Sequence, residues 1–361
     1  MFAPTRYLEW ARRYYGKVRF DLATSGIPTS PIEAIGVPEP ARMDDPGGWD
    51  RLRDAIARYN DVGRDEAVAA LGTTHALWLA YASLTSPGDD VLVEEPAYEP
   101  LVRIAEGVGA RVVRFARPAE DRFALDPDRL ARAMTPRTRL VVVTNLHNPS
   151  GVRMPDAVLR AAARVAQQRG AYLLVDEVYA PFDSLVDEHG VFGGTARKLA
   201  PNVVAVGSLT KCFGVGPLRV GWLLGQPDVV ARAQDAITAS CGMLPLTHAH
   251  LAAHALARVA ELAARTRAML AGKRQRVAAW AADEGLAWSA PDEGLFGFAA
   301  IPMAGDLTPV VEAAAREREV LVAAGSFFEM PNGFRLAWSA ESGALDEGLA
   351  RLALALRAAK F

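Results

Sequence analysis

Val203-Val-Ala-Val206-Gly207-Ser208-Leu209-Thr210-Lys211 is a run of strand formers that ends in small residues, two hydroxyls and a lysine. The same grammar occurs twice upstream. Leu140-Val-Val-Val143 runs into Thr144-Asn-Leu-His-Asn148-Pro-Ser-Gly151, and Tyr172-Leu-Leu-Val175 runs into Asp176-Glu-Val-Tyr179. None of these runs alternates with polar residues, as expected for strands buried on both faces. Val91-Leu-Val93, leading into Glu94-Glu-Pro-Ala-Tyr98, and Val112-Val113 add two more strands. Helical patterns lie between them. Trp49 to Tyr59 puts Leu52, Ile56 and Ala57 on one face, Thr73-Thr74 opens an apolar helix through Leu77, Trp78 and Tyr81, and Asp156 to Gln168 reads as a third helix. Strands alternating with helices predict an α/β fold with a mostly parallel sheet and helices on both faces.

Outward from this core the pattern changes at about residue 245. A long Ala/Arg/Leu-rich helical pattern runs from His248 to Asp283. Shorter strands are expected at Phe296 to Ala300, Val320-Leu-Val322 and Phe334 to Trp338, with a last helix from about Leu345. The expected division is a large α/β domain over 46–245 and a smaller α+β domain made of 1–45 and 246–361.

The 361 residues are 51% hydrophobic and 23% charged, with a net charge of −2, enough for two packed domains and without the basic field that nucleic acid binding needs. Cys212 and Cys241 lack the spacing of a disulfide framework or a metal site, and Cys212 reads as a small buried residue. His248, His250 and His254 share a helix without ligand spacing, and His147 reads as a bystander. Neither an apolar leader nor a membrane-length run is present, so a cytoplasmic protein with no metal and no membrane partner is expected.

In such a sheet, ligands sit beyond the carboxyl ends of the strands. Those ends carry Tyr98, Asn148, Asp176, Tyr179, Lys211 and Arg219. Pyridoxal 5′-phosphate needs this set. Its aldehyde needs an amine, which Lys211 supplies. Its pyridine nitrogen stays protonated against a buried carboxylate, and Asp176 is placed for that. Asn148 and Tyr179 offer neutral donors to its phenolic oxygen, and Tyr98 a ring to stack on. Its phosphate suits the helix start at Gly72-Thr73-Thr74, with Ser208 and Arg219 adding a hydroxyl and a guanidinium. Thr73 and Thr74 also suit a helix cap, and the two roles are compatible.

These motifs, in this order, resemble the fold-type I aminotransferase family, class I/II. Asn148-Pro-Ser-Gly151, Asp176-Glu-Val-Tyr179, Ser208-Leu-Thr-Lys211 followed by Arg219-Val-Gly-Trp222, and Phe334-Arg335-Leu-Ala-Trp338 carry the likeness over nearly the whole chain. The resemblance implies that Arg335 clamps the substrate α-carboxylate beside Asn148, and that the segment at Gly26 closes over the substrate. It also implies that Asp292-Glu-Gly-Leu-Phe-Gly297 is a strand of the small domain and that the enzyme is a homodimer. Aligned on Asp45-Pro-Gly-Gly48, the family's cross-subunit phosphate-binding tyrosine is Met43 in this chain.

The implied reaction moves an α-amino group from an amino acid to a 2-oxo acid, with Lys211, Asp176 and Tyr179 as the catalytic residues. Two alternatives use the same scaffold: a carbon–sulfur lyase, and a cyclase of guanidino amino acids. Tyr7-Leu-Glu-Trp-Ala-Arg-Arg-Tyr-Tyr15 and Phe20-Asp-Leu-Ala-Thr-Ser-Gly26 resemble the cyclases' N-terminal layout. A DNA-binding regulator is disfavoured because no basic helix-turn-helix precedes residue 50, and a nicotinamide enzyme because no Gly-x-Gly-x-x-Gly follows the first strand.

Overall fold

A computed structural model describes residues 3–36, 45–182, 186–289 and 294–359. Thirteen strands occur in chain order: β1 (Phe20–Asp21), β2 (Ala67–Ala70), β3 (Asp90–Glu95), β4 (Arg111–Ala116), β5 (Thr138–Thr144), β6 (Tyr172–Asp176), β7 (Val203–Ser208), β8 (Gly221–Leu224), β9 (Ala287–Ser289), β10 (Phe296–Ala300), β11 (Val320–Leu321), β12 (Ala323–Ala324) and β13 (Gly333–Ala337). Seven of them form one sheet in the order β2-β8-β7-β6-β5-β3-β4. β7, β6, β5, β3 and β4 are mutually parallel, while β8 runs antiparallel to both β7 and β2. The expected mostly parallel α/β sheet is therefore present.

Its apolar runs are buried on both sides. Leu140, Val142, Leu174, Val204 and Val206 pack with the helix Gly72–Leu84, while Val141, Val143, Leu173, Val175 and Val203 pack with the helix Asp156–Gln168. Burying each such side chain is worth about 1.5–3 kcal/mol. That is why the strands need no polar face and why their polar residues collect at the ends.

Register then sets the site. Thr144 pairs with Asp176 across β5 and β6, and Asp176 with Val206 across β6 and β7. The residues that follow these strands therefore emerge at one edge.

The C-terminal third builds a second, antiparallel sheet in the order β12-β13-β10-β9, and β1 pairs in parallel with β11. The chain after β1 stays beside β13, where the Ala337 amide donates to the Leu22 carbonyl at 2.8 Å. In this way the N-terminal segment is led toward the edge of the large sheet.

Several local expectations need correction. The single helix read over His248 to Asp283 is three helices, Leu246–Ala257, Val259–Leu270 and Lys273–Asp283. The second break falls at Gly272, whose φ of +75° suits a residue without a side chain. Val320 to Val322 is not one strand: Val320–Leu321 pairs with β1, and Ala323–Ala324 pairs with β13. Strands β2 and β8 were not expected, because Ala67-Val-Ala-Ala70 is poor in strand formers and Gly221-Trp-Leu-Leu224 is short. Met43, and with it the expected loss of a cross-subunit tyrosine, lies outside the described residues, as do Asp292 and Glu293.

Candidate active site

A cavity of about 350 Å³ opens beyond the carboxyl ends of β5, β6 and β7. Thr73, Thr74, Tyr98, Asn148, Asp176 and Tyr179 line it, together with Lys211 and Arg219. Eight of the residues expected from sequence thus line one cavity.

Asp176 ends β6 and is only 3% exposed. Its Oδ1 accepts from the Val178 amide at 3.1 Å, and no described cation forms an ion pair with it. Burial pushes its carboxyl up to about 7, with a smaller push from Glu94; the Val178 amide and Lys211 work in the opposite direction. A buried acid of this kind favours a neighbour that brings its own proton and positive charge.

Lys211 follows β7, and its amine reaches the cavity. Burial holds it below the ordinary lysine value, with Arg335 and Arg219 pushing the same way and Tyr7 and Asp176 opposing. A lysine so placed is more readily deprotonated, which suits a nucleophile or a base.

Arg219 adopts φ +48° and lays its guanidinium against Gly72, where a Cβ would stand 2.7 Å from Nη2. Gly72 itself has φ +77° and begins the helix that presents Thr73 and Thr74. Arg219 forms no ion pair among the described residues; its Nη2 donates to the Leu71 carbonyl at 3.4 Å. The Thr73 hydroxyl is buried without a hydrogen-bond partner among the described residues. A helix start, an orphaned hydroxyl and a guanidinium with no ion-pair partner among the described residues form an anion cradle.

Arg335 and Gly26 do not line the cavity but adjoin it. Arg335 lies on β13 with none of its surface exposed. It donates to Asn148 Oδ1 at 2.8 Å, to the Tyr7 hydroxyl at 2.8 Å and to the Ala23 carbonyl at 3.1 Å, while its Nε lacks a partner among the described residues. No carboxylate neutralises this buried charge among the described residues, so an incoming carboxylate would find an unpaired guanidinium. Gly26 lies over Lys211, and a Cβ on it would sit 3.5 Å from Lys211 Cδ. Ser208 is buried at the end of β7 and uses its hydroxyl to accept from the Thr210 amide at 3.2 Å; Thr210 is the residue that faces the cavity.

The structure adds residues that the sequence reading passed over. Tyr7, on the helix Arg6–Tyr14, lines the cavity, bridges Arg335 to the Tyr15 hydroxyl at 2.7 Å and meets the Tyr98 ring edge-on at 5.8 Å between centroids. Ser25 also lines it and accepts from the Tyr179 hydroxyl at 2.9 Å. Both come from the N-terminal segment, where no strand end marks them out. Behind Asn148 lies a third group. Glu94 accepts from the Thr144 amide at 2.7 Å and pairs with Arg117, both side chains being fully buried, and Thr144 Oγ1 accepts from the Asn148 amide at 3.1 Å. His147 is a structural residue, held between Ser150 Oγ at 2.7 Å and the Pro96 carbonyl at 3.0 Å.

An amine, a lone buried acid, neutral donors and an anion cradle around one cavity fit pyridoxal phosphate. Among the described residues no acidic, histidine or cysteine cluster could hold a metal ion, and no helix is long and apolar enough to cross a membrane.

Comparison with known proteins agrees with this fit. The family described as aminotransferase class I and II matches residues 39–352. A capreomycidine synthase of Streptomyces vinaceus is 31% identical over 95% of this chain and 91% of its own length. Several curated aminotransferases match at similar identity, but the chain spans only about half of their length. Among solved structures, a PLP-dependent aminotransferase from Streptococcus suis superposes with a TM-score of 0.90 at 23% identity, covering 100% of this chain and 99% of that one. The PLP-dependent cyclase OrfR superposes with a TM-score of 0.85 at 25% identity, covering 99% and 97%. The chain is a member of the class I and II aminotransferase family and a pyridoxal phosphate-dependent enzyme.

Proposed function

We propose that the protein is an aminotransferase that moves the α-amino group of an amino acid to a 2-oxo acid, and that it works as a cytoplasmic homodimer. The observation that carries this reading is the meeting of Lys211 and Asp176 at one cavity, with the Arg335 guanidinium, which has no carboxylate partner among the described residues, adjoining it. Pyridoxal phosphate, when bound, supplies an aldehyde for amines and a ring that withdraws electrons from the substrate α-carbon.

The chain's own residues do the rest. Thr73, Thr74 and Arg219 would hold the phosphate end, with Ser208 behind Thr210 at the end of β7 as a further hydroxyl for it. Asp176 would keep the ring nitrogen protonated, Tyr98 would cover the ring, and Asn148 would donate to the phenolic oxygen with the Tyr179 hydroxyl beside it. Arg335 takes the substrate carboxylate, with Asn148 fixing the guanidinium and Gly26 leaving room beside Lys211. Lys211, with its lowered proton affinity, is the base that removes the α-proton. The first half of the reaction releases the donor as a 2-oxo acid and leaves its amino group with the enzyme, and the second half delivers that group to an incoming 2-oxo acid.

A second reading, a PLP-dependent cyclase of a guanidino amino acid, is favoured by the near full-length similarity to a capreomycidine synthase. The cavity counts against it. Asp176 is the only carboxylate among the described residues lining it, and Arg12 also lines it. A guanidinium side chain would meet the Arg12 cation there.

Mixing purified enzyme with single amino acids and following the cofactor's absorbance separates the two readings. An aminotransferase shows a half-reaction reversed by 2-oxo acids. Turnover of a hydroxylated arginine without any acceptor, and no half-reaction with other amino acids, would establish the cyclase. Release of pyruvate and ammonia from cystathionine would indicate a lyase.

A further inference from the structure

Ser25 is 3% exposed, and its oxygen stands between two groups of the site. It accepts from Tyr179 Oη at 2.9 Å and from Lys211 Nζ at 3.5 Å. The segment that carries it is pinned on both sides. The Ala23 carbonyl accepts from Arg335 at 3.1 Å, the Gly26 carbonyl accepts from Ser339 Oγ at 2.9 Å, and the Ile27 amide donates to the Lys211 carbonyl at 3.1 Å. Ser25 is therefore held in place before any ligand arrives, and little further ordering is needed to keep its two donors. Both contacts use lone pairs of the hydroxyl, so its own proton remains available to the cavity.

We propose that Ser25 is a positioning residue for proton transfer, gathering the amine of Lys211 and the phenol of Tyr179 on one oxygen and stabilising the lysine nitrogen in its protonated form. This rests on the reading of Lys211 as the base. In that reaction the C–H bond at the substrate α-carbon breaks, its electron pair stays with the substrate, and the proton forms an N–H bond on Lys211. The nitrogen then carries a positive charge in a site that burial makes unfavourable for charge. Asp176 from the end of β6 and Tyr7 from the N-terminal helix favour that charge; Arg335 from β13 and Arg219 from the loop after β7 oppose it. Tyr179 and Ser25 complete the surroundings. Ser25 supplies a neutral acceptor that costs no second buried charge.

The test uses holoenzyme and the pH titration of its bound-cofactor absorbance, which reports protonation at the lysine–cofactor link without turnover. Ser25→Ala should move the midpoint down by about one pH unit or more, the scale of losing one hydrogen bond to a charged group. Its kcat should fall about tenfold with little change in KM, and Ser25→Thr should restore both. Should Ser25→Ala fail to fold, Ser25→Cys, a weaker acceptor, should show the same shift at smaller size. A midpoint unmoved in a folded variant overturns the proposal. So does a lowered thermal midpoint with an unmoved titration, which marks a purely structural role. If the wild type shows no titrating band, or Lys211→Ala retains it, the assignment of Lys211 fails and the Ser25 proposal falls with it.

Discussion

Asp176 should make the cofactor-free protein less stable as pH rises, and Asp176→Asn should remove that dependence. The carboxyl is buried and pushed from its usual 3.8 up to about 7, mainly by burial. Its folded-state pKa therefore lies above its unfolded one. Between about pH 4 and pH 7 the folded chain keeps this proton while the unfolded chain has lost it, so stability is full below that window and declines as pH rises through it. Three units at about 1.4 kcal/mol each give a loss of about 4 kcal/mol by pH 8. Asparagine has no proton to lose and nearly the same shape. The assay is urea unfolding of cofactor-free wild type and Asp176→Asn at pH 5 and pH 8. Glu177, whose carboxyl burial pushes up to about 8, contributes to both proteins and cancels in the difference except for the smaller push it receives from Asp176 itself. The variant's stability advantage should grow by about 2–4 kcal/mol between the two pH values. An advantage that is constant with pH, or one that shrinks, would refute the reasoning. It would mean that Asp176 is ionised in the empty site and that the site is polarised differently.

Other perturbations have equally definite outcomes. Gly72→Ala forces a side chain into a left-handed position and against Arg219, so titration with pyridoxal phosphate should show affinity weakened by about tenfold or more, or about 1.4 kcal/mol. Arg117→Met strands the buried Glu94 carboxylate and should cost about 3–5 kcal/mol in denaturant unfolding, while Glu94→Gln added to it should recover a large part; simple addition of the two losses would contradict a buried pair. Tyr7→Phe removes a hydrogen bond to the Arg335 charge and should lower stability by about 1–3 kcal/mol in the same assay.

How much of this was legible in the sequence follows from where each residue sits. The parallel core was readable because strands covered on both faces must be apolar throughout, as Leu140-Val-Val-Val143 and Val203-Val-Ala-Val206 are. Their polar residues can collect only at the ends, which is where Asp176, Asn148 and Lys211 stand. The flanking strands β2 and β8 were not legible, since alanine-rich and very short strands carry little pattern of their own and form because β7 offers an edge. The helix read through Arg258 fails for a related reason: its composition is helical throughout, and only the chain's path ends it. Ser25 and Tyr7 stood in segments noted only for their N-terminal layout, and their place in the site was not legible for a third reason. They reach the site through the pairing of β1 with β11 and the run beside β13, contacts made over some three hundred residues of sequence separation. Glu94 stood in plain view after β3, yet its partner Arg117 follows β4, and only the fold makes them one buried pair.

The account stands on Lys211 as the residue that bonds the cofactor. Reducing the holoenzyme with borohydride, digesting it and mapping the modified peptide by mass spectrometry tests this directly. A single pyridoxyl modification on Lys211 is the expected result. Modification at any other lysine, or none at all, would contradict it.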